Sequence, residues 1–338
     1  MSNTITIGLD IAKNVFQVHG VDETGQVILR RRLRRRALEP FFAKLPPALI
    51  GIEACGSAHH WGRVLQQLGH EVRLMPPAYV KPYVKRNKTD GRDAEAICEA
   101  VTRPTMRFVA IKSVEAQAVA SLHRAYDLLV RQRTMLGNAL RGMLAEFGIV
   151  AAQGIKGLTE LMQGLEQAPI PELARETLGT LARQWKALDG EACALERRIV
   201  RAAKESEAAR RLMQIPGVGP IVASAIVTAV ADPHVFRSGR AFAAWLGLNP
   251  RQDNSGDKRR SGPISKQGNR NVRRVLIIGA TSHLRRTRVR PGKDPWLAGL
   301  LARRPGKVAA VARAAKNARI AWALLARGQH YRAPAAAA

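Results

Sequence analysis

Hydrophobic and polar positions alternate in short, regular pieces through the first hundred residues. Thr4 to Asp10, TITIGLD, has the pattern of a buried strand that ends on a carboxylate, and Val15 to Val21 alternates as a second strand. Asp22-Glu23-Thr24-Gly25 supplies a hairpin turn into a third, Gln26 to Arg32. A helix pattern near Leu38 to Leu45 is closed by Pro46 and Pro47, and the apolar run Ala48 to Glu53 again ends on a carboxylate. Trp61, Val64, Leu65 and Leu68 recur at helical spacing. Gly69 then turns the chain into the strand Glu71 to Met75, which Pro76 and Pro77 stop. Asn87 to Glu99, NKTDGRDAEAICE, reads as a helix with Asp90 and Asp93 on one face, because residues i and i+3 are neighbours there. The order is three strands, helix, strand, helix, strand, helix.

The later pattern is helical. From Val114 to Phe147, the residues Val119, Leu122, Tyr126, Leu129, Leu136, Leu140 and Met143 form one apolar stripe, expected to cover the sheet and close a first domain over 1–147. Gly148 to Pro171 reads as a linker with short helical pieces. Leu178, Leu181, Trp185, Leu188, Ala192, Leu195 and Ile199 then alternate three and four apart, the seam of a coiled coil within 148–208. With about three heptads the seam is short enough to pair within the chain, but no second heptad run is visible, so pairing with another subunit is favoured. A third domain, 209–330, opens with IPGVGP, Ile215 to Pro220, which resembles the turn of a helix-hairpin-helix module; Gly217 and Gly219 would let backbone amides approach a phosphate. The competing reading is an ordinary helix-to-helix turn. Phe236 to Leu248 looks helical, Asn249 to Asn269 reads as a polar loop, Val272 to Ala280 as a helix, and 331–338 as a disordered tail.

Charge narrows the class of partner. Against 55 Lys and Arg stand 26 Asp and Glu, a formal net charge of +29. An excess of that size calls for a polyanion, and nucleic acid is favoured over an anionic membrane because the basic residues are interleaved with core-forming segments throughout. No window is apolar enough to span a bilayer and the N-terminus carries no signal pattern, which places the chain in the cytoplasm. Cys55, Cys98 and Cys193 are odd in number and widely spaced, as expected of buried free thiols. Basic residues cluster beside the polar loop and the Asp90 helix. Lys88, Arg92, Lys258, Arg259, Arg260, Lys266, Arg270, Arg273 and Arg274 are the expected nucleic-acid contacts. The run RRRLRRR, Arg30 to Arg36, fits a backbone contact and an exposed strand face equally well.

The element order matches the ribonuclease-H-like fold, in which the first and fourth strands lie side by side at the sheet centre. Their carboxyl ends would bring Asp10 to Glu53, and the helix bearing Asp90 and Asp93 would pack at the same edge. Four converging carboxylates repel one another, by about 4 kcal/mol for a pair about 4 Å apart at an effective dielectric near 20, so they imply bound cations. Oxygen-only ligands suit Mg2+, and a pair of ions suits phosphoryl transfer. A rival reading makes GLDIAK the phosphate-binding strand of an actin-like sugar kinase, but the glycine-rich turns that such kinases need are missing. Ser255, Ser261 and Ser265 stand among the loop cations, where a serine could meet a phosphate.

GLDIAKN at Gly8 to Asn14, GIEACGS at Gly51 to Ser57, KTDGRDA at Lys88 to Ala94, IPGVG, and GLNPRQDNSGDKRRSGPISKQGNRNVRR at Gly247 to Arg274 occur in that order over nearly the whole chain. Together they resemble the insertion sequence 110 family of transposases. The resemblance implies a RuvC-like domain with a DEDD carboxylate set, matched here by Asp10, Glu53, Asp90 and Asp93, then a coiled coil and a transposase domain with a catalytic serine. Ser255 is the serine that aligns best, with Ser261 and Ser265 behind it. It further implies DNA recombination in a bacterial, nucleoid-associated setting, guided by a structured RNA from the element's flank that pairs with donor and target DNA. The family implies a homo-oligomer, dimer or tetramer, whose composite sites hold Mg2+, two ions each. Two other classes are weighed against it: a RuvC-like nuclease that uses water, and a non-catalytic nucleic-acid-binding protein.

Overall fold

The computed structural model describes residues 5–85, 90–255, 258–290, 292 and 294–333, apart from the side chains of Asp90, Asn254, Ser255, Lys258 and Arg259. The chain forms two compact units. One is Met1–Ala116 with Val230–Val235, the other Gln117–Ala229 with Phe236–Ala338.

The first unit is a five-stranded mixed sheet with helices. Its strands are β1 (Ile5–Ile11), β2 (Val15–Val21) and β3 (Val27–Arg34), then, after the short helix α1 (Leu38–Phe42), β4 (Ala48–Glu53). Helix α2 (Ala58–Gln67), strand β5 (Glu71–Met75), the single turn α3 (Pro77–Val80) and helix α4 (Asp90–Val101) complete it. Strand order is β3-β2-β1-β4-β5, with β1, β2 and β3 antiparallel and β1, β4 and β5 parallel. The β2–β3 turn is closed by Asp22, whose Oδ1 accepts from the amides of Thr24 and Gln26, and by Gly25 at φ +84°. On one face Leu9, Phe16, Ile50 and Ile52 are fully buried with Leu38, Phe42 and Leu65. Each such side chain contributes roughly 1.5–3 kcal/mol relative to exposure.

The second unit is mainly helical. It takes in α5 (Val114–Ala145), α6 (Ile155–Gln163), α7 (Glu172–Glu205), α8 (Glu207–Met213), α9 (Pro220–Ala229) and α10 (Gly239–Trp245). The strands β6 (Pro250–Ser255) and β7 (Lys258–Ile264) follow, then α11 (Arg270–Val289), α12 (Pro295–Leu301) and α13 (Gly306–Arg327). The two units divide within the first turn of α5, so that helix goes with the helical unit and not with the first domain expected over 1–147: Leu140 and Leu144 are buried with Leu158, Leu178 and Trp185. The same cluster takes Leu165, Ala168 and Ile170 from the expected linker, which is thereby part of a core. In α7 the buried positions Leu178, Trp185, Ala192 and Ile199 follow one another at heptad spacing. The chain's own residues bury this stripe, so it is not open to another subunit as expected; Leu181, Leu188 and Leu195 beside it are half-buried. The expected polar loop is instead a hairpin, β6–β7, with Gln252 opposite Ser261 and Asp253 opposite Arg260. Backbone pairing holds it, so no apolar alternation announces it. Among the described residues no helix is long and apolar enough to cross a membrane.

Candidate active site

The carboxylates come first. β1 and β4 run parallel with Gly8 opposite Gly51 and Leu9 opposite Ile52, so Asp10 and Glu53 are the next neighbours at the carboxyl ends of the two central strands. Their face follows from the glycines two residues before them, since alternate residues of a strand point together. A Cβ on Gly8 would stand 2.0 Å from the Ala94 carbonyl oxygen and 2.5 Å from the Cys98 amide nitrogen, and one on Gly51 2.8 Å from Cβ of Val101. Both glycines therefore face α4, and so do Asp10 and Glu53. Cys98 Sγ donates to the Thr6 carbonyl at 3.4 Å, tying α4 to β1, and burial pushes its thiol up to about 11. The Cys55 thiol, exposed rather than buried as expected, is also raised, by burial of the sulfur first and then by the charges of Glu53 and Asp10. Both carboxylates thus act on one point.

Asp93 is half-buried on α4; the side chain of Asp90, at the start of that helix, lies outside the described residues, as does all of Lys88. Among the described residues no group of three or more His, Cys, Asp or Glu side chains could hold a metal ion. Of the four expected carboxylates, strand register brings Asp10 and Glu53 side by side. Two half-buried carboxylates side by side, with a thiol held in its protonated form, offer oxygen donors to a hard divalent cation. Two features of this edge escaped the sequence reading. Ser57, in the turn after β4, has a left-handed φ of +68°, a costly conformation for a residue with a Cβ. Arg35 stacks 5.2 Å from the Trp61 ring and donates from Nη1 to the Lys13 carbonyl at 3.2 Å, which fixes the turn after Asp10.

In the helical unit, Ile215 to Pro220 is the turn between α8 and α9. Gly217 has φ +87°, and the neighbouring Pro216 carbonyl accepts from Arg313 Nη2 at 3.3 Å and Asn317 Nδ2 at 3.0 Å. A Cβ on Gly279 of α11 would stand 2.2 Å from the Gly217 carbonyl oxygen, so the turn is pressed onto that helix, whereas Gly219 is open. Arg313 Nη1 also donates to Asp294 Oδ2 at 2.8 Å, which lies 2.9 Å from His283 Nε2. Burial raises the Asp294 carboxyl, but His283, the Leu297 amide and Arg313 outweigh it and hold it below the usual carboxylate range. A groove of about 520 Å3 beside the turn is lined by Gly217, Gly219, Arg274, Ser282 and Arg286 among others.

The remaining expected residues separate by burial. Ser255 ends β6 with its side chain outside the described residues, as are the side chains of Lys258 and Arg259; Ser261 is exposed on β7, and the Ser265 amide donates to the Asn249 carbonyl. Arg260 and Arg270 are exposed, Arg92 is half-buried, and Lys266 is exposed with φ +56°. Arg274 forms an ion pair with Asp127 at 2.5 Å and donates to Asn271. Arg273 departs from expectation. It is buried on the core side of α11 and donates from Nη1 to the carbonyls of Leu246 and Gln267 at 2.8 and 2.6 Å, so it anchors the base of the hairpin and is not a surface contact.

Comparison with known proteins identifies the family. Residues 209–295 match the model described as Transposase IS116/IS110/IS902 family, and residues 7–149 match a DEDD model described as Transposase. The chain is 49% identical over 335 residues to the Probable family 20 transposase of Pseudomonas aeruginosa, covering 98% of this chain and 99% of that one. The chain belongs to the IS110/IS116 family of insertion-sequence transposases. It is also 40% identical over 336 residues to the Transposase for insertion sequence element IS1111A of Coxiella burnetii, covering 98% of this chain and 92% of the other. With the Transposase for insertion sequence element IS1328 of Yersinia enterocolitica it shares 39% over 329 residues, 97% and 98% of the two chains. The transposase acts on DNA, which accounts for a net charge of +29. Asp10, Glu53, Asp90 and Asp93 fall within the first matched region, and Ser255 within the second.

Proposed function

We propose that this transposase exchanges DNA strands by phosphoryl transfer to the Ser255 hydroxyl, in an RNase-H-like, RuvC-like active site made by Asp10, Glu53, Asp90 and Asp93. The observation that carries the reading is the parallel register of β1 and β4, which makes Asp10 and Glu53 neighbours on the α4 face. These four carboxylates would hold Mg2+, two ions per site. When bound, the cations supply charge neutralisation of the phosphate and a lowered pKa for the attacking hydroxyl. In the proposed step Ser255 Oγ forms a bond to phosphorus, the DNA sugar oxygen leaves, and the serine proton passes by way of a carboxylate to that oxygen. The phosphoserine link conserves the phosphodiester for rejoining to a second DNA end, which regenerates the serine. The cations Lys258, Arg259, Arg260 and Lys266 neutralise charge on the phosphate. The amides of Gly217 and Gly219, with Arg270 and Arg274, hold flanking backbone in the manner of a helix-hairpin-helix. A structured guide RNA from the element's flank selects donor and target by pairing. Homo-oligomers of two or four subunits bring one subunit's serine to another's carboxylates.

The test is PCR across the circle junction of the excised element, in cells carrying the gene with its native flanks. Wild type is expected to give the junction, and Ser255→Ala and Asp10→Ala each to lose it by at least roughly a hundredfold, the scale of losing a positioned catalytic group. Junctions formed by Ser255→Ala at the wild-type rate would replace the serine with water or another hydroxyl. Sequencing the RNA that copurifies with the protein tests the guide.

A further inference from the structure

The arginine run 30–36 has no part in that reading, yet strand register sets half of it beside the carboxylates. Asp10 of β1 faces Gln17 of β2, which faces Arg32 of β3; in the same way Gly8 faces His19, which faces Arg30, and Val15 faces Arg34. Residues paired across a sheet lie on one side of it. Glu53, Asp10, Gln17 and Arg32 therefore form a single row across β4, β1, β2 and β3 on the α4 side, with Arg30 and Arg34 on that side along β3. Charges from α4 agree: the Glu95 carboxyl is held low by its hydrogen bond from Lys85 first, with His19 and Arg30 contributing. The opposite side of β3 is different, since Leu29 and Leu33 pack there against the sheet core with Arg31 between them.

Helix α4 packs on β1, β2 and β4, and Arg30, Arg32 and Arg34 are exposed. Charge on an edge strand also deters pairing between sheets, but that purpose needs neither one sign nor one side. Here six of the seven residues from 30 to 36 are arginine and none is acidic. Alternate positions of a strand are about 6.7 Å apart, close to the separation of successive phosphates on an extended nucleic-acid backbone. Arg32 stands two strands from Asp10, roughly 10 Å, within reach of the phosphates next to one held at the carboxylates.

We infer that Arg30, Arg32 and Arg34 form a phosphate track that leads the DNA strand to be cut across Gln17 to Asp10 and Glu53. The inference rests on the carboxylate reading for the track's destination. DNA is the occupant because the row runs without interruption into the carboxylates where the DNA phosphodiester reacts. Arg32 and Arg34 carry most of it, as Glu95 offsets Arg30.

The experiment measures binding of a fluorescein-labelled single-stranded DNA to the full-length protein, in chelator and over a range of salt. Two doubles of equal charge are compared, Arg32→Gln with Arg34→Gln on the α4 side, and Arg31→Gln on the other side of β3 with Arg36→Gln beyond the strand's end, with melting temperatures as the check on folding. The first pair is expected to weaken binding by roughly tenfold at low salt and to lower the salt slope by about 1.4, at about 0.7 per phosphate lost. The second is expected to stay within about twofold of wild type. Equal losses in both pairs, no loss in either, or a loss seen only with an RNA strand of the same sequence would overturn the track. Failure of the carboxylate reading shows elsewhere, as Asp10→Ala still forming circle junctions, because binding in chelator does not depend on it.

Discussion

Gly8 decides where the helix over the active site can lie. With no side chain it lets α4 rest on β1, and any Cβ there would overlap the Ala94 carbonyl and the Cys98 amide. Gly8→Ala is therefore expected to cost roughly 1–3 kcal/mol, as overpacking does, and to lift α4 from the strand. Urea unfolding measures the first effect, and circle-junction yield the second. In the sequence, Gly8 and Gly51 stand two residues before carboxylates, a spacing that marks the shared face once both segments are read as strands. Arg273 shows the opposite case. In sequence it stands with Arg270 and Arg274 as one basic cluster, although Arg273, Leu276, Ala280 and Leu284 are spaced as one buried helical stripe. That spacing was available, but a guanidinium is buried only where carbonyls wait for it. Those of Leu246 and Gln267 come from outside the helix.

Among the elements, α5 and α9 meet through a buried histidine and a serine. His123 is buried, with Nε2 2.9 Å from Ser224 Oγ, and burial holds its pKa below the ordinary 6.5. The folded protein thus resists a proton that the unfolded chain accepts below about pH 6.5, so stability present above that pH is lost as pH falls toward the folded-state pKa. The urea midpoint is expected to drop between about pH 7 and pH 5, and His123→Gln, which keeps a hydrogen-bonding group without that titration, to flatten the slope. His19 adds in the same direction, lowered by burial first and then by Arg30 and Lys85 against the opposing Glu95. The heptad pattern of α7 was legible because it is periodic within one helix. Its partner was not, because Gly137 admits Trp185 and Leu158 only through a close approach, a Cβ there standing 2.6 Å from Leu158.

For the whole molecule, a charge of +29 makes association with DNA a matter of counterion release. Binding of a non-specific duplex is expected to weaken by roughly 10³–10⁵ between 50 and 200 mM salt if six to ten phosphates are contacted, which fluorescence anisotropy over that range would measure. The charge is read directly from composition, but its placement is not: Arg273 is inside, Arg274 is paired with Asp127, and Arg30, Arg32 and Arg34 share one side of the sheet. The sequence by itself determined the five strands of the first unit, the long helices, and the carboxylates that end β1 and β4. Alternation, helical spacing and turn residues act over a few neighbours, and each leaves its mark locally. Tertiary structure alone decided that the α7 stripe is buried within the chain and that the polar stretch after α10 is a hairpin. Those outcomes depend on strand register and on approaches between distant segments, which backbone hydrogen bonds and the absence of a side chain make possible without any periodic trace.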